Sequence, residues 1–90
     1  MSTKPQDLEY APLLDFALPK VSYADPDGVT FDIALYHAVT TVLRDAGLPT
    51  IPMGSFTRLV RAAGFARKSW RNKGRQTWYF AGLNLREDAP

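Results

Sequence analysis

Apolar residues recur at three- and four-residue spacing across residues 31–46, FDIALYHAVTTVLRDA. The stripe consists of Phe31, Leu35, Ala38, Val39, Val42 and Ala46. This spacing predicts an amphipathic helix that buries one face. Thr30 is the expected N-cap, and Gly47 is expected to end the helix.

A second helix is predicted within residues 51–63, IPMGSFTRLVRAA. Its apolar stripe is Phe56, Leu59, Val60 and Ala63, and its opposite side holds Gly54, Arg58, Arg61 and Ala62. Pro52 is expected in the first turn, where a missing N–H costs little, with Thr50 as the cap. Gly64 is expected to end the helix.

Residues 66–80 alternate basic and aromatic positions around one glycine, which predicts a β-hairpin. A three-residue loop, Asn72-Lys73-Gly74, would pair Arg71 with Arg75 and would separate an aromatic face from a basic one. A two-residue loop at Lys73-Gly74 would mix core and charge on one face, so the three-residue loop is favoured. An anion could bridge Arg71 and Arg75 in that register.

Residues 1–29 contain four prolines and end in the turn sequence DPDG, yet they are rich in apolar residues. We predict an extended arm that packs on a surface, with a short strand near residues 16–23. The arm could cover its own core or dock on a neighbouring protomer. The residues expected to mediate self-association in the second case are Leu8, Tyr10, Leu13, Leu14 and Phe16.

Ninety residues with 46% hydrophobic content are enough for one domain with one core. The chain has no cysteine, which excludes disulfides, thiolate zinc sites and thiol nucleophiles. His37 is the only histidine, and no catalytic constellation or phosphate loop is visible. We therefore expect neither an enzyme nor a protein with a cofactor, a metal or a small-molecule substrate. With no signal peptide or membrane-spanning run in the sequence, we expect a cytoplasmic protein.

Charge is distributed unevenly along the chain. Residues 1–45 carry three cations and seven carboxylates, a net charge of −4, whereas residues 46–86 carry eight cations and no carboxylate. Such asymmetry points to a polyanionic partner, although a solvated basic face is the plain alternative. The acidic arm of one protomer could also meet the basic region of the next.

The order helix, short connection, helix and hairpin predicts an α+β fold, a small winged helix-turn-helix with two or three helices and a β-hairpin wing. The predicted division is an arm at 1–29, the winged domain at 30–86 and an acidic tail at 87–90. The stretch SFTRLVRAAGFARKSWRNKGRQTWYFAGLNL resembles the winged-helix modules of phage, plasmid and integrative-element proteins, including the C-terminal module of phage and plasmid primase–helicases. The resemblance covers residues 31–86 and is carried by Phe56, Val60, Gly64-Phe65, the glycine wing and the ending FAGLNL.

A winged helix would present the second helix to the major groove, where arginine pairs with guanine. The helix holds no carboxylate to pair its arginines. The expected DNA-contacting residues of this helix are Ser55, Thr57, Arg58 and Arg61. Those of the wing and strands, suited to phosphates, are Arg67, Lys68, Arg71, Asn72, Lys73 and Arg75.

The resemblance implies a bacterial, nucleoid-associated protein of a mobile element that binds double-stranded DNA cooperatively. It further implies an excisionase-like recombination directionality factor, with an integrase as a further partner, or a transcription regulator. Two alternatives stay open. One is a winged-helix module that binds a replication or recombination protein, and the other is RNA binding.

Overall fold

A short 3₁₀-helix, three α-helices and a three-stranded antiparallel sheet make up the structure, a computed structural model that describes residues 4–87. Its elements are a 3₁₀-helix (Pro5–Glu9), α1 (Ala11–Val21), β1 (Ser22–Phe31), α2 (Asp32–Asp45), α3 (Met53–Ala62), β2 (Ala66–Asn72) and β3 (Arg75–Leu85). The sheet order is β1-β3-β2. This confirms the small α+β fold class, and the architecture is compatible with a winged-helix-like fold. Of the predicted acidic tail, residues 88–90 lie outside the described part of the chain.

The two helices predicted from apolar periodicity are present as α2 and α3, but both predicted caps are wrong. Phe31 is the N-cap of α2, while the Thr30 hydroxyl donates to the Leu83 carbonyl 2.9 Å away. Pro52 is the N-cap of α3, so it precedes the first turn and Thr50 lies in the preceding loop. In the first case the pairing of β1 with β3 takes the residue that would otherwise cap the helix.

The N-terminal segment is helical rather than extended, which corrects the prediction of an arm. Residues 11–21 form α1, and the strand expected near 16–23 instead begins at Ser22. Pro12 lies in the first turn of α1, where a proline is tolerated, and Pro19 lies near its end. Leu14, Ala17 and Val21 recur at helical spacing and are buried, a stripe that the prolines obscured.

The hydrophobic core lies between the helices and one face of the sheet. Its members are Leu14, Ala17 and Val21 of α1; Leu35, Ala38, Val39 and Leu43 of α2; Ile51; Phe56, Leu59 and Val60 of α3; and Phe80 and Leu83 of β3. The ring of Phe56 makes an edge contact with Tyr36 at a centroid distance of 5.1 Å and with Phe80 at 6.2 Å. The N-terminal segment therefore packs in cis, on the core of its own chain.

The stretch Asp25-Pro26-Asp27-Gly28 interrupts β1 as a bulge. Ala24 pairs with Leu83 and Val29 pairs with Ala81, so the bulged residues have no partner in the ladder. A β-carbon at Gly28 would lie 2.8 Å from the backbone carbonyl of Leu83. The bulge therefore requires glycine at its last position, where the two strands approach closely.

The β2–β3 hairpin has the two-residue loop that the sequence interpretation disfavoured. Asn72 pairs with Arg75, and Lys73 and Gly74 both have positive φ, 52° and 80°. Two positive φ values characterise the type I′ turn, whose twist matches that of antiparallel strands. Turn geometry therefore outweighed the clean separation of aromatic and basic faces.

Candidate nucleic-acid interface

Helix α3 buries Phe56, Leu59 and Val60 and leaves part of its other side open to solvent. Arg61 is exposed on that side, with Gly54 exposed and Thr57 half-buried beside it. At 100° per residue, these three positions lie within about 60° of one another around the helix. Ser55 is only 4% exposed, so its predicted contact with DNA is wrong for this conformation.

Arg58 is held by a carboxylate from the N-terminal 3₁₀-helix. Its Nε donates to Oδ2 of Asp7 at 2.7 Å and its Nη2 donates to Oδ1 at 2.9 Å. Asp7 has no exposed surface, and its Oδ2 also accepts the backbone N–H of Lys4 at 3.0 Å. Neither the helix nor the rest of residues 46–86 contains a carboxylate, and the partner of Arg58 lies 51 residues away along the chain.

The same contact sets the protonation of both partners. Hydrogen bonds from the Arg58 guanidinium hold the pKa of Asp7 well below its usual range, despite the opposing effect of burial. The Ser55 hydroxyl and the Lys4 backbone act in the same direction. The Asp7 carboxylate in turn raises the pKa of Arg58. Arg58 is therefore part of a bidentate ion pair that fastens the N-terminus to α3.

Arg67 is likewise engaged within the chain. Its Nη2 donates to Oδ2 of Asp32 at 2.9 Å, and its guanidinium carbon lies 4.2 Å from the ring centroid of Trp78. Asp32 lies in the first turn of α2, so Arg67 connects β2, β3 and that helix. These contacts assign Arg67 a structural role rather than the predicted contact with the DNA backbone.

Five exposed cations remain on α3 and the hairpin with no carboxylate within ion-pair distance among residues 4–87: Arg61, Lys68, Arg71, Lys73 and Arg75. Asn72 is exposed with them at the hairpin tip. Arg71 lies opposite Gln76 rather than Arg75, so the predicted arginine pair bridged by an anion is wrong. The four hairpin cations are instead spread along β2, the turn and the start of β3.

The residues predicted for self-association do not share one surface. Leu14 is buried in the core, and Tyr10 and Leu13 are half-buried against it. Leu8 and Phe16 are exposed, at 64% and 41%. The burial of Leu14 contradicts its place in a surface that docks on another protomer, because its side chain is already in the core together with residues of α2 and α3.

Two groups of residues were missed by sequence reasoning. The first is the carboxylate partners Asp7 and Asp32; Pro5 followed by Asp7 is a helix-start pattern that could have indicated local structure there. The second is an apolar surface on the outer face of the sheet, formed by Val29, Phe31, Trp70 and Tyr79. The register decides that these four share a face.

Comparison with known proteins gives no matching family model and no similar curated protein. Within residues 4–87, no helix is long and apolar enough to cross a membrane. The same range contains no group of three or more histidine, aspartate or glutamate side chains that could hold a metal ion.

Proposed function

We propose that the protein binds double-stranded DNA, with α3 in the major groove and the β2–β3 hairpin against the phosphate backbone. One observation carries this proposal: α3 and the hairpin together present five exposed cations, and none of the five has a carboxylate partner in the described chain. Ion pairing removes Arg58 and Arg67 from this set. Arg61 is then the residue of α3 best suited to read a base edge, because arginine donates to both guanine acceptors.

The neighbours of Arg61 suit a close approach of the helix to DNA. Gly54 and Ala62 are exposed and small, and Thr57 offers a hydroxyl on the same side. The hairpin cations Lys68, Arg71, Lys73 and Arg75 suit phosphates, which position a protein without specifying sequence. Sequence preference should therefore depend on Arg61, and general affinity should depend on the hairpin.

The salt dependence of binding gives a quantitative expectation. If the four hairpin cations each neutralise one phosphate, the logarithm of the association constant should fall with the logarithm of salt concentration at a slope of about −3.6. Removal of one hairpin cation, as in Lys73→Ala, should reduce that slope by about 0.9.

The finer role rests on the sequence resemblance to mobile-element proteins. A recombination directionality factor should bind the attachment site of its element in cooperative steps, whereas a regulator should bind a promoter. Of the N-terminal residues predicted to support cooperative assembly, Leu8 and Phe16 are exposed and available for that contact.

The deciding experiment is a titration of labelled duplex DNA with wild type, Arg61→Ala and Arg44→Ala. Attachment-site, promoter and random duplexes are compared at two salt concentrations. Arg44 is an exposed cation at the far end of α2 and serves as the matched control. Arg61→Ala should abolish preference for one site, while Arg44→Ala should bind as wild type does.

Equal losses in the two variants, or no binding to any duplex, would contradict the proposal. Retained binding to a replication or recombination protein without DNA affinity would instead favour the protein-interaction alternative.

A further inference from the structure

The outer face of the sheet, which points away from the helices, carries four apolar side chains in contact with solvent. Val29 is 60% exposed, Phe31 49% and Trp70 54%, and Tyr79 is half-buried among them. Together they line one shallow groove of about 290 Å³. The core residues Phe80 and Leu83 of the same strand β3 point to the opposite face.

The register arranges these side chains as a platform across all three strands. Tyr79 on the central strand pairs with Phe31 on one side and with Lys68 on the other. Trp70 pairs with Thr77, one pair further along the same face, and is therefore diagonal to Tyr79. Since neighbouring strands are about 4.8 Å apart, the platform is about 10 Å wide.

On β2 and β3, the charged residues of this face are all cations. The register places Lys68 and Arg75 beside the aromatic residues, and none of the β2 and β3 residues that it assigns to this face is a carboxylate. The β1 carboxylates Asp25 and Asp27 lie in the bulge that precedes Val29, where Asn84 donates to Asp25. Aromatic surface with cations on β2 and β3 suits a partner that is anionic and presents flat apolar surfaces. Unpaired bases on a phosphodiester chain have both properties, because every base offers a ring face for stacking.

We propose that the outer face of the sheet binds single-stranded nucleic acid, with Trp70, Phe31 and Tyr79 stacking on bases and Lys68 and Arg75 contacting phosphates. A duplex does not fit this surface, because its base faces are covered by stacking within the helix. The site goes beyond duplex binding: it shares the hairpin cations Lys68 and Arg75 with the proposed duplex surface but no residue of α3, so Arg61→Ala distinguishes the two.

The two tryptophans of the chain allow a direct test. Trp70 lies on the outer face, whereas Trp78 lies on the inner face with Arg67 over its ring. In a Trp78→Phe protein, Trp70 is the sole tryptophan, and its emission can be excited apart from that of the tyrosines. Titration with a ten-nucleotide oligothymidylate should quench its emission, since stacking brings a base against the ring. The same titration with an oligouridylate of equal length shows whether the surface prefers single-stranded DNA or RNA.

Variants then separate stacking from charge. Trp70→Ala should weaken binding of labelled oligothymidylate by about 5- to 150-fold, the range expected for loss of one stacked base, and Trp70→Phe should recover most of it. Because Trp70 is exposed on an edge strand, both variants should fold, which their circular dichroism checks. Arg61→Ala should leave oligothymidylate binding within twofold of wild type even where it impairs duplex binding.

Three results would overturn the proposal. The first is no quenching and no binding of either oligonucleotide. The second is equal binding by wild type and Trp70→Ala. The third is equally tight binding of polyglutamate, which would assign the surface to an acidic protein instead. Should Trp70→Ala fail to fold, Phe31→Ala and Lys68→Ala test the same platform from the other strands, with the same expected loss of oligothymidylate binding.

Discussion

Truncation of Leu14 tests whether the N-terminal segment belongs to the fold of its own chain. The side chain is 4% exposed and lies in the core with residues of α2 and α3. Leu14→Ala removes nearly all of that buried apolar surface and leaves a cavity that the surrounding helices fill only in part. We therefore expect a large loss of stability.

The magnitude follows from the burial. Replacement of a buried leucine by alanine costs about 3 kcal/mol, and a domain of this size loses about 4–8 °C in Tm per kcal/mol. The Tm of Leu14→Ala should accordingly fall by about 12–24 °C. Leu8→Ala is the matched control, because Leu8 is 64% exposed and its truncation should cost at most about 0.5 kcal/mol.

The assay is thermal unfolding followed by circular dichroism at two protein concentrations tenfold apart. Packing in cis predicts that the loss in Leu14→Ala is the same at both concentrations. A Tm within a few degrees of wild type would refute the reasoning. A Tm of wild type that rises with concentration, with no such rise in the variant, would show that the segment packs on another protomer.

Three further substitutions test other parts of the structure. Asp7→Asn should lower Tm at pH 7 and should have a smaller effect below about pH 4. The pKa of Asp7 is lower in the folded than in the unfolded protein, so its stabilisation is present above the unfolded-state pKa and is lost as pH falls towards the folded-state pKa. A difference in Tm that does not change with pH would contradict this. Lys73→Asn should raise Tm by about 2–4 °C, since asparagine adopts positive φ more readily in a type I′ turn, and a lower Tm would contradict that turn. Gly28→Ala should cost about 1–3 kcal/mol in chemical denaturation, because its β-carbon would lie 2.8 Å from the Leu83 carbonyl; unchanged stability would contradict the close approach.

Local pattern was sufficient to predict much of the fold. The apolar periodicity of residues 31–46 and 51–63 predicts α2 and α3, and Gly64, with φ of 104°, follows α3 as expected. The glycine among alternating basic and aromatic residues predicts the hairpin. These features depend on contacts between residues a few positions apart, so a single sequence contains the information needed to predict them.

The hairpin register was mispredicted because two local rules disagreed. Separation of aromatic and basic faces favoured a three-residue loop, whereas the strand twist favours the type I′ turn at Lys73-Gly74. In the observed register Arg67 shares the inner face of the sheet with Trp78. The folded protein tolerates this charge because Arg67 pairs with Asp32 and lies over the ring of Trp78. Those partners become neighbours only after the sheet and α2 have packed.

Local sequence pattern was enough to predict α2, α3, the presence of the hairpin, the α+β class and the concentration of cations in residues 46–86. Which of those cations are left without a carboxylate partner, and so can bind an anion, depends on the tertiary structure. Asp7 meets Arg58 across 51 residues and Asp32 meets Arg67 across 35, and both encounters require the N-terminal segment and α2 to pack on the rest of the chain. Long-range pairing of this kind leaves no periodic signal, because it depends on where whole elements pack rather than on the spacing within any one of them.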